Sequence, residues 1–202
     1  MLDGMLSIPE RAGGVVMFVH GSGSSRFSPR NRRVAGVLDA GGLGTLLFDL
    51  LTAQEQEIDE RTAALRFDIG LLTQRLIDAV DWLVERPDSR GLRIGLFGAS
   101  TGAAAALAAA AERPERIAAV VSRGGRPDLV LPVLPRVRAP TLLIVGGLDQ
   151  PVIGMNQRAA AALGCEHRLE IIPGATHLFE EPGTLDQVAC LARDWFMEHL
   201  PA

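Results

Sequence analysis

The sequence predicts an α/β fold of three layers, in which a mostly parallel sheet of about seven strands lies between helices on both faces. Two observations lead to this prediction. Short apolar runs of strand length alternate with amphipathic helical patterns along the chain. One tight turn with the pattern Gly-x-Ser-x-Gly joins such a run to an alanine-rich helix. The 202 residues are expected to form one domain, residues 1–202.

The first half of the chain contains four predicted strands and two predicted helices. The strands are expected at 5–8 on a sheet edge and at 14–19, 45–48 and 92–97. Ser28 and Pro29 predict the start of the first helix, as N-cap and first helical residue, and Gly41 ends it. Asp68 is expected to cap a long helix with one apolar face.

The second half begins with the helix 103–111 that follows the tight turn. Further strands are predicted at 117–121, 141–145 and 169–172, and a helix is expected from about Val152 to Gly164. Thr184 and Gln187 have the spacing of a capping box, which predicts the start of the last helix.

The turn Gly98-Ala99-Ser100-Thr101-Gly102 has the spacing of a nucleophile elbow. Such a turn is so sharp that side chains at the two glycine positions would clash with the neighbouring backbone. The serine then projects at the carboxyl edge of the sheet, where the following helix directs its N-terminal amides. The alternative interpretation is an ordinary surface glycine turn between a strand and a helix.

Polar residues follow several of the predicted parallel strands. His20, Ser22, Ser100, Asp149 and His177 all lie just after strand ends, which is the edge where α/β sheets bind ligands. A serine nucleophile needs a base, and a histidine oriented by a carboxylate suits that role. The chain order Ser100, Asp149, His177 is the nucleophile–acid–histidine order of one large fold family. Alternatively, Asp149 is a turn or helix cap and His177 is a packed loop histidine.

The same chemistry requires preplaced donors for an oxyanion. The backbone amide of Thr101 is one candidate, and that of Ser22 is the second. The segment 20–25 has two other interpretations, a flexible glycine–serine turn and a weak phosphate cradle. His20 itself is expected to brace the loop by hydrogen bonding.

Composition excludes several kinds of chemistry. The chain has neither lysine nor tyrosine, so Schiff-base catalysis, a serine–lysine dyad and a P-loop lysine are ruled out. Cys165, Cys190 and the four histidines lack metal-ligand spacing, and no metal or cofactor is expected. The formal net charge of −4 argues against nucleic acid. Without a signal peptide or membrane-spanning run, a cytoplasmic location away from membranes is expected. The sequence does not indicate an oligomeric state.

The chain resembles the α/β-hydrolase family, and within it the small lidless branch similar to dienelactone hydrolase. The resemblance rests on four segments: His20-Gly21-Ser22-Gly23, Gly98-Ala99-Ser100-Thr101-Gly102, Gly146-Gly147-Leu148-Asp149 and Gly174-Ala175-Thr176-His177. It implies that Ser100 is the nucleophile, Asp149 the acid and His177 the base, with oxyanion donors at Ser22 and Thr101. It also implies an α/β-hydrolase fold without a cap domain, because about eighteen residues separate Val121 from Thr141.

Two features depart from that family pattern. Dienelactone hydrolase proper has a cysteine at the elbow, so Ser100 leaves that particular substrate in question. The N-terminal part is short, which implies that the first antiparallel strand is missing. The expected activity is hydrolysis of small carboxylic esters through an acyl-enzyme, and a thioesterase or lactonase would use the same residues. The alternative from another class is a non-catalytic binding or interaction module on the same fold.

Several arginines follow strand ends near the predicted site. Arg26, Arg30, Arg32 and Arg33 come after the loop at 20–25, and Arg123 and Arg126 come after the fifth strand. Arg26 and Arg123 are the candidates for binding a carboxylate or phosphate on the substrate. The alternative is that these arginines are solvated charges flanking helices.

Overall fold

The computed structural model describes residues 2–201, and within them seven strands form one sheet. The strands are β1 (Gly4–Ser7), β2 (Val15–Val19), β3 (Gly44–Phe48), β4 (Ile94–Ala99), β5 (Ile117–Arg123), β6 (Thr141–Gly146) and β7 (His167–Ile172). Their order across the sheet is β1-β3-β2-β4-β5-β6-β7. β1 pairs antiparallel with β3 at one edge, and the other pairs are parallel. The predicted sheet is thus confirmed.

Six α-helices accompany these strands in the described part of the chain. They are α1 (Pro29–Ala40), α2 (Ala53–Thr62), α3 (Ile69–Glu85), α4 (Thr101–Glu112), α5 (Gln150–Ala162) and α6 (Thr184–His199). The cap predictions for α1 and α3 are confirmed, because Ser28 accepts a hydrogen bond from the Asn31 amide and Asp68 accepts one from the Leu71 amide.

The capping box predicted for the last helix is wrong. Gly183 is the N-cap of α6, with a φ of 79° that favours glycine, and its lack of a side chain leaves no capping oxygen. The hydroxyl of Thr184 instead donates to the carbonyl of Glu181, in the turn before the helix. α2 has no counterpart among the predicted elements. It begins with a capping box made by Thr52 and Glu55.

The sheet separates two apolar cores, one on each face. On one face the sheet packs against α3, α4 and α5, and on the other it packs against α1 and α6. The alanines of α4 are nearly all fully buried, and their small side chains let this helix lie close to the sheet. A helix pressed closely onto β4 brings its N-terminus directly to the turn that contains Ser100.

The connections after the parallel strands gather at one edge of the sheet. Between β5 and β6, the segment 124–140 contains only a 3₁₀ stretch, Pro127–Arg136, so no cap domain covers this edge in the described residues. None of the helices within residues 2–201 is both long and apolar enough to span a bilayer.

Candidate active site

The turn between β4 and α4 has the strained geometry of a nucleophile elbow. Ser100 has φ 51° and ψ −121°, a conformation that residues with side chains rarely adopt. A Cβ atom at Gly98 would lie 2.4 Å from the Cα of Ala103, and one at Gly102 would lie 2.2 Å from the carbonyl oxygen of Val19. Both positions therefore require glycine, and the interpretation as an ordinary surface turn is wrong.

Backbone hydrogen bonds tie this elbow to the end of β5. The amide of Ser100 donates to the carbonyl of Arg123 at 3.2 Å, and the amide of Arg126 donates to the carbonyl of Ser100 at 3.1 Å. Ser100 is thus anchored between two strand ends while α4 directs its N-terminus at it.

His177 and Asp149 meet at the same edge. The Nδ1 atom of His177 lies 2.6 Å from Oδ2 of Asp149, the length of a charge-assisted hydrogen bond. Asp149 is the N-cap residue of α5, but its side chain makes no capping hydrogen bond there and contacts His177 instead. The carboxylate is mostly buried and the imidazole is about one-third exposed. This bond orients the ring and leaves Nε2 as the nitrogen that can exchange protons.

The imidazole of His177 lies against the residue that follows Arg123. A Cβ atom at Gly124 would be 3.4 Å from Cε1 of His177. The imidazole of His177 and the elbow that carries Ser100 therefore both contact the end of β5. Among residues 2–201 no hydrogen bond joins the Ser100 hydroxyl to His177. In empty active sites such bonds are often long and shorten when substrate binds.

The loop that carries His177 is itself fixed by hydrogen bonds. The carboxylate of Glu181 accepts from the amide of Thr176 at 3.1 Å and from its hydroxyl at 2.6 Å. Phe179 is almost fully buried and anchors the other side of the loop. These contacts limit how far the imidazole can move from Asp149.

The loop after β2 lies beside the elbow. The amide of Ser22 donates to the hydroxyl of Thr101 at 3.0 Å, so the two residues predicted to form an oxyanion hole are in contact. His20 braces this loop as expected: its Nε2 accepts from the Leu50 amide at 3.1 Å and its Nδ1 lies 3.0 Å from the Gly21 carbonyl. Burial lowers the pKa of His20, and this outweighs the opposing effects of Gly21 and Asp49.

The prediction that Arg26 binds a substrate anion needs correction. Its guanidinium and its backbone amide both donate to Asp49, and a second carboxylate, that of Asp3, lies 3.5 Å away. The guanidinium also lies over the ring of Phe27. With two carboxylates already beside it, this side chain is not free to take another anion. Arg126 is likewise paired, with Asp128.

Arg123 is in a different situation. It is only 7 % exposed, and no carboxylate of the described residues forms an ion pair with it. One terminal nitrogen makes a long hydrogen bond of 3.4 Å to Asn31, and Nε has no partner within residues 2–201. Burial, and secondarily the charge of Arg30, lower the pKa of Arg123 to about 10.

One supporting residue of the site was not predicted from the sequence. Asn156, in α5, is fully buried and donates from Nδ2 to the carbonyls of Gly125 at 3.0 Å and Val152 at 2.9 Å. It thereby fixes the backbone beside Gly124, on which His177 rests. The available signal was an amide side chain on the apolar face of a helix, between Val152 and Ala159.

Comparison with solved structures places this architecture among known folds. A dienelactone hydrolase from Anabaena variabilis is 64% identical, with a TM-score of 0.97 over 98% of this chain and 92% of that one. Est1E from Butyrivibrio proteoclasticus is only 16% identical but superimposes with a TM-score of 0.82, over 98% of this chain and 93% of Est1E. The second comparison concerns the fold alone, and both agree with an α/β-hydrolase fold.

Sequence comparison gives relatives of a different length. Two Mycobacterium tuberculosis proteins, provisionally named phosphoribosyl transferases, are 59% identical over 197 residues, which are 98% of this chain and 44% of each relative. The chain therefore spans less than half the length of these relatives. The model of the dienelactone hydrolase family matches residues 2–196. This chain belongs to the dienelactone hydrolase family.

Proposed function

We propose that this protein is a serine hydrolase that cleaves small carboxylic esters through an acyl-enzyme. The observation that carries the proposal is the 2.6 Å bond between Asp149 and His177, made at the same edge of the sheet at which the end of β5 anchors Ser100. A strained serine, a histidine and a buried carboxylate in this arrangement serve nucleophilic catalysis. Family membership supports hydrolysis in general, and the ester substrate is our inference.

The proposed reaction has two stages, acylation of Ser100 and hydrolysis of the acyl-enzyme. The hydroxyl oxygen of Ser100 adds to the ester carbonyl carbon while Nε2 of His177 takes its proton. Asp149 keeps Nδ1 protonated and stabilises the imidazolium. The tetrahedral oxyanion is stabilised by donors at the start of α4, beside the loop after β2, and its collapse expels the alcohol, which takes the proton from His177. Water then repeats the sequence and releases the acid.

The open edge favours small substrates. Residues 124–140 form no cap over the site, so a long acyl chain would find no enclosed apolar tunnel among the described elements. We therefore expect short esters to be cleaved faster than long ones. A thioester or lactone presents the same carbonyl carbon to Ser100 and remains an alternative substrate.

The transferase name of the Mycobacterium tuberculosis relatives is not carried over to this chain. It describes proteins more than twice as long, of which this chain matches 44%. The residues gathered at the sheet edge are a nucleophile, a base and an acid, and these suit acyl transfer to water.

A fluorophosphonate probe tests the proposal directly. It should label the wild-type protein and leave Ser100→Ala unlabelled, since the probe reacts with an activated serine. Thr73→Ser keeps a buried hydroxyl that donates within α3, to the carbonyl of Ile69, and is a control that should retain labelling. Folded wild-type protein that takes up no probe would refute the enzymatic proposal and favour a binding module. p-Nitrophenyl esters, matched thioesters and lactones would then rank the substrates.

We further propose that Arg123 favours esters carrying a carboxylate or phosphate. Its guanidinium is buried, forms no ion pair within residues 2–201, and extends from the strand end that anchors Ser100. Arg123→Met should raise KM for p-nitrophenyl hemisuccinate much more than for p-nitrophenyl acetate. Equal changes for the anionic and the neutral ester would refute this preference.

A further inference from the structure

The hydroxyl of Thr101 is buried next to the elbow and has an unused proton. Thr101 is 4 % exposed, and its Oγ1 accepts the amide proton of Ser22 at 3.0 Å. A hydroxyl also has a proton to donate, and within residues 2–201 no group accepts the one of Thr101. A buried donor left without a partner is costly, so this proton points to an acceptor that arrives with a ligand.

The position of Thr101 in α4 explains why this proton is unused. Threonine inside a helix commonly donates to the carbonyl four residues earlier, as Thr73 does to Ile69 at 2.7 Å. Thr101 is the first residue of α4, and the preceding turn of helix does not exist. Its hydroxyl and its backbone amide both belong to the residue that follows Ser100, and they can converge on one oxygen atom at the helix N-terminus.

We propose that Thr101 stabilises the oxyanion with two hydrogen bonds, from its amide and from its hydroxyl, and that the Ser22 amide acts through that hydroxyl. This inference rests on the proposed hydrolase function. The amide of Ser22 donates to Oγ1, which polarises the O–H bond and strengthens its donation to the oxyanion. The observed contact between Ser22 and Thr101 persists during the reaction, and the loop after β2 need not move.

A competing arrangement makes the opposite prediction. If Oγ1 of Thr101 merely occupies the place of the substrate oxygen, its removal would free the Ser22 amide and increase the rate. The two arrangements therefore differ in the sign of the effect on kcat. Thr101→Val separates them, because valine keeps the shape of threonine and lacks the hydroxyl.

The experiment compares Thr101→Val, Thr101→Ser and the wild type with p-nitrophenyl acetate. We expect Thr101→Val to lower kcat by about 10²-fold with little change in KM, as loss of one oxyanion donor does elsewhere. Thr101→Ser retains the hydroxyl and should stay within about threefold of the wild type, a range well inside the loss expected from a donor. A trifluoromethyl ketone, which forms an oxyanion adduct with serine, should bind Thr101→Val more weakly by a similar factor.

Controls keep this inference separate from the proposed function. Thr73→Val removes a buried hydroxyl that donates within α3, to the carbonyl of Ile69, and should leave kcat unchanged, and thermal unfolding checks that each variant is folded. An unchanged or increased kcat in Thr101→Val, or equal losses in the serine and valine variants, would overturn the role of the hydroxyl. Absence of fluorophosphonate labelling in the wild type would instead refute the hydrolase itself.

Discussion

Replacing Arg123 by methionine should make the protein more stable. The fold lowers the pKa of Arg123 from its ordinary value to about 10, chiefly because its charge is buried. That shift corresponds to about 3 kcal/mol of cost for keeping the guanidinium charged, at about 1.4 kcal/mol per pKa unit. The variant also loses the 3.4 Å hydrogen bond to Asn31, which lowers its stability by about 1 kcal/mol. The net gain is about 2 kcal/mol, because methionine fills similar volume without a charge.

The sign of the pH dependence follows from the lowered pKa. At neutral pH the side chain is charged in both states, so the burial cost is fully present. Only above about pH 10 does the folded state release this proton while the unfolded state keeps it. Loss of the proton relieves the burial cost in the folded state, so the stability contributed by this group rises with pH through that range, and Arg123→Met should lack this rise.

Thermal unfolding at pH 7 measures the effect. A gain of about 2 kcal/mol should raise Tm by about 4–8 °C for a chain of this size. Arg126→Met is the matched control: that arginine is partly exposed and paired with Asp128, so its loss should not stabilise the fold. Added sulfate or phosphate should raise the Tm of the wild type more than that of Arg123→Met. A lower Tm for Arg123→Met would refute the argument that this charge is buried at a cost.

Three further changes test the remaining contacts. Asp149→Asn should lower kcat by about 10⁴-fold with the fold intact, since the amide stabilises the wrong tautomer of His177; a loss below tenfold would contradict the assigned role. The wild type should lose stability below about pH 6.5, because His20 becomes protonated in the unfolded state and stays neutral when buried in the fold. His20→Gln should lose less stability over this pH range, and parallel pH–Tm curves for the wild type and the variant would contradict this. Gly102→Ala should destabilise by about 3 kcal/mol or prevent folding, because its Cβ would lie 2.2 Å from the Val19 carbonyl, whereas Gly36→Ala, with open space, should be neutral or stabilising.

The candidate active site was predictable because its signals are local. The glycines around Ser100 specify one sharp turn within five residues, and a buried apolar run before Asp149 is enough to place it at a strand end. Parallel strands then bring separate strand ends to one edge without any knowledge of side-chain contacts. That is why Asp149 and His177, 28 residues apart, could be expected to meet.

Other features depend on contacts that no local pattern contains. α2 has a largely polar sequence, so its apolar periodicity is too weak to predict a helix, although its capping box with Thr52 is local. Arg26 and Arg123 look alike in the sequence, and only their tertiary neighbours distinguish them. Arg26 meets Asp49, whereas Arg123 meets the neutral amide of Asn31, 92 residues away.

The central claim is that Ser100 carries the acyl group during turnover. Mass spectrometry of the protein quenched in acid during hydrolysis of p-nitrophenyl acetate tests it most directly, because the ester bond of an acyl-serine survives at low pH. We predict one acetyl group on the peptide that contains Ser100, and none in Ser100→Ala. Turnover by the wild type with that peptide unmodified, or with the acetyl group on another residue, would contradict the account.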